Sequence, residues 1–543
     1  MKKIIINEQN FALLRKDNGI YVDKTERIYE MIQYSRYLFL SRPRRFGKSL
    51  LVSTLENLFL GKKELFKGLW IEDKWEWEEY PVIRLDFSKI LMGRSLEAID
   101  ATLNTVLKSQ GLQYGVELKE IYPSSMLDSL IQGLYRKTGK RVVILIDEYD
   151  NPITSHLSNI ETAKRNRTYF RDIYQIIKAS SGLLEFVFMT GITKFAKMSI
   201  FSAISQMKDI SLLSPFNDIV GFTEEELISN FSEHLKVFGE ANDMTFSEVM
   251  EHIAKWYDGY TWNGEQHLFN PYAILNALAD KTLDTYWFET GTPTFLIELA
   301  IQDQSFQITD APLLKQLDSL PASKDTFESA DLENIDIIAA LFQSGYLTIK
   351  EKKSRKRIVN YKLGFPNYEV RHAFNAHILK AFVKRNIAAD IKGRTLALLD
   401  ALESSDETQF QQIITSIFAG IPSSNLKNIN EFGYQAMFYQ LLLLLGINDI
   451  FLEVSGYIGR ADGVLLLEDK VFIFEFKFAR KGTMKYLLAK ASEQAELQGY
   501  WHPHLGTDKE IFRVSVGFLY KKEKRRKEDK KVLKIDSSWE KIQ

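Results

Sequence analysis

The 543-residue chain contains no cysteine. That excludes disulfide bonds and thiolate zinc sites, and it fits a reducing compartment such as the cytoplasm. Histidine is also scarce, with 8 residues and no pair at metal-ligand spacing, so a zinc centre is not expected. An excess of either charge is missing: 70 Lys and Arg stand against 71 Asp and Glu, for a formal net charge of -1. A protein coated in positive charge is thereby excluded, whereas a local basic groove for nucleic acid is not. Long apolar runs are absent too. The N-terminal MKKIIINEQN offers three isoleucines before Asn7 and Glu8, which is not a secretory signal. The leucine run Leu441 to Leu445 falls far short of the roughly 20 residues that span a bilayer, and it reads as a buried helix. No membrane partner is expected.

What is present is ordinary globular material, 45% hydrophobic and 26% charged. At roughly 100–200 residues per domain, the length suggests about three or four domains. Up to about residue 220, short apolar runs alternate with helical patterns. RYLFLS (Arg36 to Ser41), PVIRLDFS (Pro81 to Ser88), RVVILIDEYD (Arg141 to Asp150) and LEFVFMTGIT (Leu184 to Thr193) are apolar on both faces. That suits a buried parallel sheet covered by crossover helices, an α/β sandwich. From 221 to 380 the pattern turns helical and aromatic, and GFTEEEL opens a helix with Thr223 as N-cap. YLTIK and IVNYKLG then read as a hairpin joined by the charged turn EKKSRKR (Glu351 to Arg357), a winged-helix-like arrangement. From 381 to 543 the order reads helix, three-strand meander, helix (Met484 to Gln498) and strand, a second α/β domain. KKEKRRKEDKK (Lys521 to Lys531) reads as a solvated hairpin turn.

The strand RYLFL runs into SRPRRFGKSLLVSTLENLF, which becomes a helix. That context suits a P-loop, whose backbone N–H groups and helix N-terminus cradle phosphates. Lys48 would meet the β/γ-phosphates and Ser49 would hold Mg²⁺. The position six before the lysine, normally glycine, is Arg42, and Gly47 alone remains of the glycine pair. About 100 residues on, Val142 to Ile146 end in Asp147 and Glu148. Such a pair closes a buried strand where an α/β sheet opens to its ligand. Asp147 can hold the magnesium through water and Glu148 can polarise the attacking water. Thr190 and Thr193 end the next strand, where they can sense a γ-phosphate or simply close the strand.

RPRRFGKSL, LIDEYDNP, MTGITKFAKMSIFS and GFTEEEL together resemble the AAA-ATPase-like proteins, as does YVDKT (Tyr21 to Thr25), over about residues 5 to 290. In that family the loop also reads RPRRxGKS, so Arg42 is a family trait. The resemblance implies ATP or GTP binding, with ATP hydrolysis following less directly. It implies a nucleotide site from Arg44, Arg45, Phe46, Gly47, Lys48, Ser49, Leu50, Asp147 and Thr190. No arginine finger is assignable, and a homo-oligomer is compatible.

A second carboxylate set lies near the C-terminus. Asp462 in GYIGRADGVLLLED starts one strand, and Glu475 and Lys477 share one face of the next, VFIFEFKFAR. Two carboxylates can bind Mg²⁺ or Mn²⁺, and Lys477 can orient or activate a water there. An amphipathic edge strand with an exposed salt pair would give the same letters. Glu453 one strand earlier and Gln494 in the following helix are accessory candidates. Residues 425 to 520 resemble the PD-(D/E)xK nuclease superfamily, whose G-R-x-D and E-x-K motifs match Gly459, Arg460, Asp462, Glu475 and Lys477. The expectation is an ATPase regulating a metal-dependent nuclease that acts on nucleic acid, DNA favoured. Its rival is an ATP-dependent switch whose nuclease-like domain only binds nucleic acid or a protein partner.

Overall fold

The structure is a computed structural model and describes residues 2–90, 95–157, 159–194, 204–291, 319–328, 335–355, 358–382, 391–419, 434, 437–438, 441–442, 450–455, 460–525 and 528–543. It divides into two compact units, 1–296 with 319–370, and 297–318 with 371–543.

The first unit is built on five parallel strands: β1 (Tyr37–Ser41), β2 (Val82–Asp86), β3 (Val142–Asp147), β4 (Leu184–Gly191) and the short β5 (Lys208–Asp209), in the order β2-β3-β4-β1-β5. The four apolar runs of the sequence are β1 to β4. Every residue of β1 and β3 is buried, as sheet strands covered on both faces require. The order sets β4 between β1 and β3, so the loop after β1 and the carboxylates after β3 open at the same edge of the sheet. Helices follow with clear sequence logic. The helix Glu224–Ala241 starts at Thr223, whose hydroxyl accepts the Glu226 N–H while the Glu226 carboxylate accepts the Thr223 N–H. Such a capping box contributes about 1 kcal/mol. The helix Phe246–Tyr257 repeats the device at Thr245 and Glu248, and buries Val249, Met250, Ile253 and Tyr257 along one stripe.

Residues 319–370 of this unit form a three-stranded antiparallel sheet, β6 (Leu320–Ala322), β8 (Ile358–Gly364) and β7 (Thr348–Arg355), preceded at β7 by the helix Ile337–Ser344. The expected helix and hairpin are present, but EKKSR is strand rather than turn. Glu351 pairs across the ladder with Lys362 at 3.0 Å, so alternating charge here decorates a strand face.

The second unit holds a five-stranded mixed sheet, in the order β13 (Glu528–Lys541), β12 (Glu510–Arg525), β11 (Lys470–Ala479), β10 (Arg460–Leu466) and β9 (Ile450–Ser455). β11 and β12 are parallel and are joined by the helix Met484–Gln498. Side chains alternate by face. Phe474 packs with Phe410 and Phe438, Phe476 with Phe438, and Phe472 with Trp539, on one side. Val471 and Ile473 lie with Val464, Ile511 and Tyr500 on the other. The charged run at 521–531 again corrects the expectation of a long turn, because β12 and β13 pair through Arg525 and Glu528. Of the leucine run, Leu441 and Leu442 are helical and buried; Leu443 to Leu445 lie outside the described residues.

Candidate functional site

Gly47 caps the helix Lys48–Phe59 at φ 95°, a left-handed conformation that favours glycine. Arg45 adopts φ 67° without that freedom. Its guanidinium donates to Asn7 at 2.6 Å and stacks over Tyr272 at 4.5 Å, which holds the turn. Phe46 is wholly buried, edge-on to Tyr260 and Trp262. Trp287 donates its indole N–H to the Arg44 carbonyl at 3.0 Å. The loop tip is thus pinned by the aromatic run WYDGYTWNG together with Tyr272 and Trp287.

Arg42 is fully buried and points away from the loop mouth. It donates to the carbonyls of Ser41, Ser211, Phe216 and Asn217, and its guanidinium lies 4.0 Å from the Trp262 ring. Burial pulls its pKa down to about 9, which leaves it charged at neutral pH. Where a glycine loop gains freedom, this chain has a strut tying β1 to 211–217. Sequence reasoning did not find that role, and its only signal was a charged residue at a buried strand end.

The cavity beside the loop measures about 330 Å³. Arg44 to Leu51 and Glu148 form one wall, and Leu14, Tyr21, Val22, Ile219, Pro271 and Tyr272 are among the residues of the others. This joins a phosphate-type end to an apolar end, the composition of a small-ligand site. The Lys48 ammonium donates to the Pro43 carbonyl at 3.0 Å within the loop. The Asp147 carboxylate accepts the Glu148 N–H at 3.0 Å, and burial raises its pKa against the pull of Ser49 and Lys48. Burial likewise raises Glu148, with Lys48 opposing and Asp150 and Asp147 reinforcing. A hydroxyl, a carboxylate and a lysine near enough to act on one another fit a nucleotide-bound Mg²⁺. The Thr190 hydroxyl donates to the Leu40 carbonyl at 2.8 Å and the Thr193 hydroxyl to Asp150 at 2.7 Å. Both therefore stitch strand ends. The wall from YVDKT was not foreseen as lining; its Lys24 also pairs with the cap residue Glu226 at 2.6 Å.

In the second unit the antiparallel register sets Gly463 opposite Phe474, so Asp462 and Glu475 lie across adjacent strands. The Asp462 carboxylate accepts the Phe476 N–H at 2.8 Å. The Lys477 ammonium donates to Glu475 at 3.0 Å and to the Phe476 carbonyl at 2.9 Å. The Glu475 side chain is 0% exposed and that of Lys477 11%, so this is a buried pair rather than an exposed one. Carrying ions out of water is costly for stability alone, which marks the cluster as a functional candidate. Two carboxylates at one strand crossing fit a divalent ion, although no group of three His, Cys, Asp or Glu able to hold a metal occurs among the described residues. Gln494 is half-buried on the helix Met484–Gln498. Glu453 falls on β9 and Arg460 on β10, but their side chains, and Gly459 altogether, lie outside the described residues. Among the described residues no helix is long and apolar enough to cross a membrane.

The family model described as predicted AAA-ATPase matches residues 5–201, and that of the PD-(D/E)XK nuclease superfamily matches residues 429–528. Among solved structures, chains from Drosophila ORC bound to GC-rich DNA and Cdc6, and bound to poly(dA/dT) DNA and Cdc6, are 11% and 13% identical. Each covers 77% of this chain, and this chain covers 65% and 72% of theirs; at TM-scores of 0.27 and 0.22 neither likeness carries weight. The "Uncharacterized protein in vnfD 5'region" of Azotobacter chroococcum mcd 1 is 32% identical over 523 residues, spanning 95% of this chain and 96% of that one. The chain belongs to the same family as that Azotobacter protein, and joins an AAA-ATPase-like domain to a PD-(D/E)XK nuclease superfamily domain.

Proposed function

We propose that the chain binds and hydrolyses ATP in its first unit, and that this controls a Mg²⁺-dependent nuclease in its second, with DNA as the favoured substrate. In this reading it works in the cytoplasm, alone or as a homo-oligomer, with the domains divided near residues 220 and 380. The observation that carries the nuclease half is the buried Glu475–Lys477 pair beside Asp462. Asp462 and Glu475 are the metal ligands and Lys477 orients the attacking water. When bound, the divalent ion would lower the pKa of that water and offset charge on the scissile phosphate.

For the ATPase half, Lys48 meets the β/γ-phosphates, Ser49 and Asp147 hold Mg²⁺, and Glu148 orients the water. Arg44, Arg45 and the loop N–H groups through Leu50 contact phosphate, while Thr190 fixes the strand beside it. Calorimetry with ATP and Mg²⁺ tests this half. Lys48→Ala should lose binding, and unchanged affinity would remove the phosphate site from the account. Glu148→Gln should keep ATP and lose turnover; wild-type turnover would assign the water to another group.

A further inference from the structure

Residues 476–492 contain Lys477, Arg480, Lys481, Lys485 and Lys490 and not one carboxylate, whereas the chain as a whole carries 71 Asp and Glu in 543 residues. This stretch is the end of β11 and the first half of the helix Met484–Gln498. Leu487, Ala491 and Ala495 turn inward and are buried. Lys485, Tyr486 and Lys490 stay exposed, and Tyr486 and Lys490 share one helix face at i, i+4. Tyr486 is 61% exposed, so its ring is open to solvent between Lys485 and Lys490. Among the described residues none of Lys481, Lys485 and Lys490 pairs with a carboxylate.

The helix start is fixed close to the candidate catalytic strand. Gly517 lies opposite Lys477 in the parallel register, and a Cβ there would stand 2.6 Å from the Met484 sulfur and 3.5 Å from Leu487. The exposed lysines and the tyrosine therefore begin within one turn of the contact that covers the Lys477 position. Arg480 continues the row, its guanidinium carbon 5.7 Å from Phe478 and 5.9 Å from Tyr520.

We infer that this surface binds single-stranded nucleic acid, with phosphates on Lys481, Lys485 and Lys490 and a base stacked on Tyr486. The inference rests on the nuclease reading of Asp462, Glu475 and Lys477, and names the form of its substrate. Cations alone would serve a duplex equally well. An exposed ring among them adds affinity only where a base face is open, as it is in an unpaired strand.

The test uses the full chain carrying Glu475→Gln, so that binding is read without cutting. Anisotropy is measured in Mg²⁺ with labelled oligo-dT, alone and annealed to oligo-dA, across a salt series. Oligo-dT should bind more tightly than the duplex. Tyr486→Leu should weaken it roughly tenfold, and Tyr486→Phe, which keeps the ring, should not. Replacing Lys485 and Lys490 by Gln should flatten the log–log salt dependence by about 1.4, from two phosphates at about 0.7 each. Equal affinity for duplex, or full oligo-dT binding by Tyr486→Leu, would overturn the inference. Cleavage by the chain with Glu475 intact is scored separately. A wild type that cuts while Tyr486→Leu binds normally loses only the surface, and one that binds oligo-dT through Tyr486 but never cuts loses only the nuclease.

Discussion

Arg42 replaces the first glycine of the phosphate-loop pattern, and the structure gives it work that a glycine could not do. Four backbone carbonyls accept its N–H groups and an indole face covers it, all out of water. Arg42→Met would leave those carbonyls without a donor, at about 1–3 kcal/mol for each that water cannot reach. We expect a loss of at least about 4 kcal/mol in denaturant unfolding of the first unit. Arg42→Lys should recover only part, because an ammonium lacks the planar fork. A change below about 0.5 kcal/mol in Arg42→Met would mean that the strut is dispensable. The letters of the loop show that a glycine is missing; that the replacement faces backwards depends on residues 211–217 and 262, far along the chain.

At the scale of elements, the helix Ile337–Ser344 ends on Gly345 at φ 91°, and a Cβ there would fall 2.7 Å from the Pro43 ring. Proline cannot swing aside as a flexible side chain can. Gly345→Ala should therefore shift the phosphate loop as well as strain its own backbone. Weaker ATP binding together with lower stability is the expected outcome, and unchanged ATP affinity would show that this contact does not set the loop. The elements themselves were largely readable. The four buried strands, the Thr223 cap and the helix Met484–Gln498 follow from apolar runs and capping residues that act locally. The charged segments at 351–355 and 521–525 read as turns in the sequence because composition sees only the charge. Their strand character comes from pairing across each ladder, which at 351–355 includes the Glu351–Lys362 ion pair and at 521–525 is the antiparallel register of β12 on β13. That Glu475 and Lys477 share one strand face follows from period-two spacing, whereas the burial of that pair and its place beside Asp462 required the sheet.

For the whole molecule, a formal net charge of -1 conceals strong local bias, and the acid-free stretch at 476–492 adjoins the buried Glu475–Lys477 pair. In the proposed function this pair, with Asp462, forms a metal-dependent nuclease site. Its most direct test is cleavage of single-stranded and duplex nucleic acid by the full chain, with and without ATP, in Mg²⁺ and Mn²⁺ against EDTA, alongside Mn²⁺ calorimetry. Cutting should require the divalent ion. Asp462→Asn and Glu475→Gln should lose cutting and metal binding together, and Lys477→Met should lose cutting while keeping most metal binding. Wild-type cutting by Glu475→Gln, or cutting that survives EDTA, would contradict it.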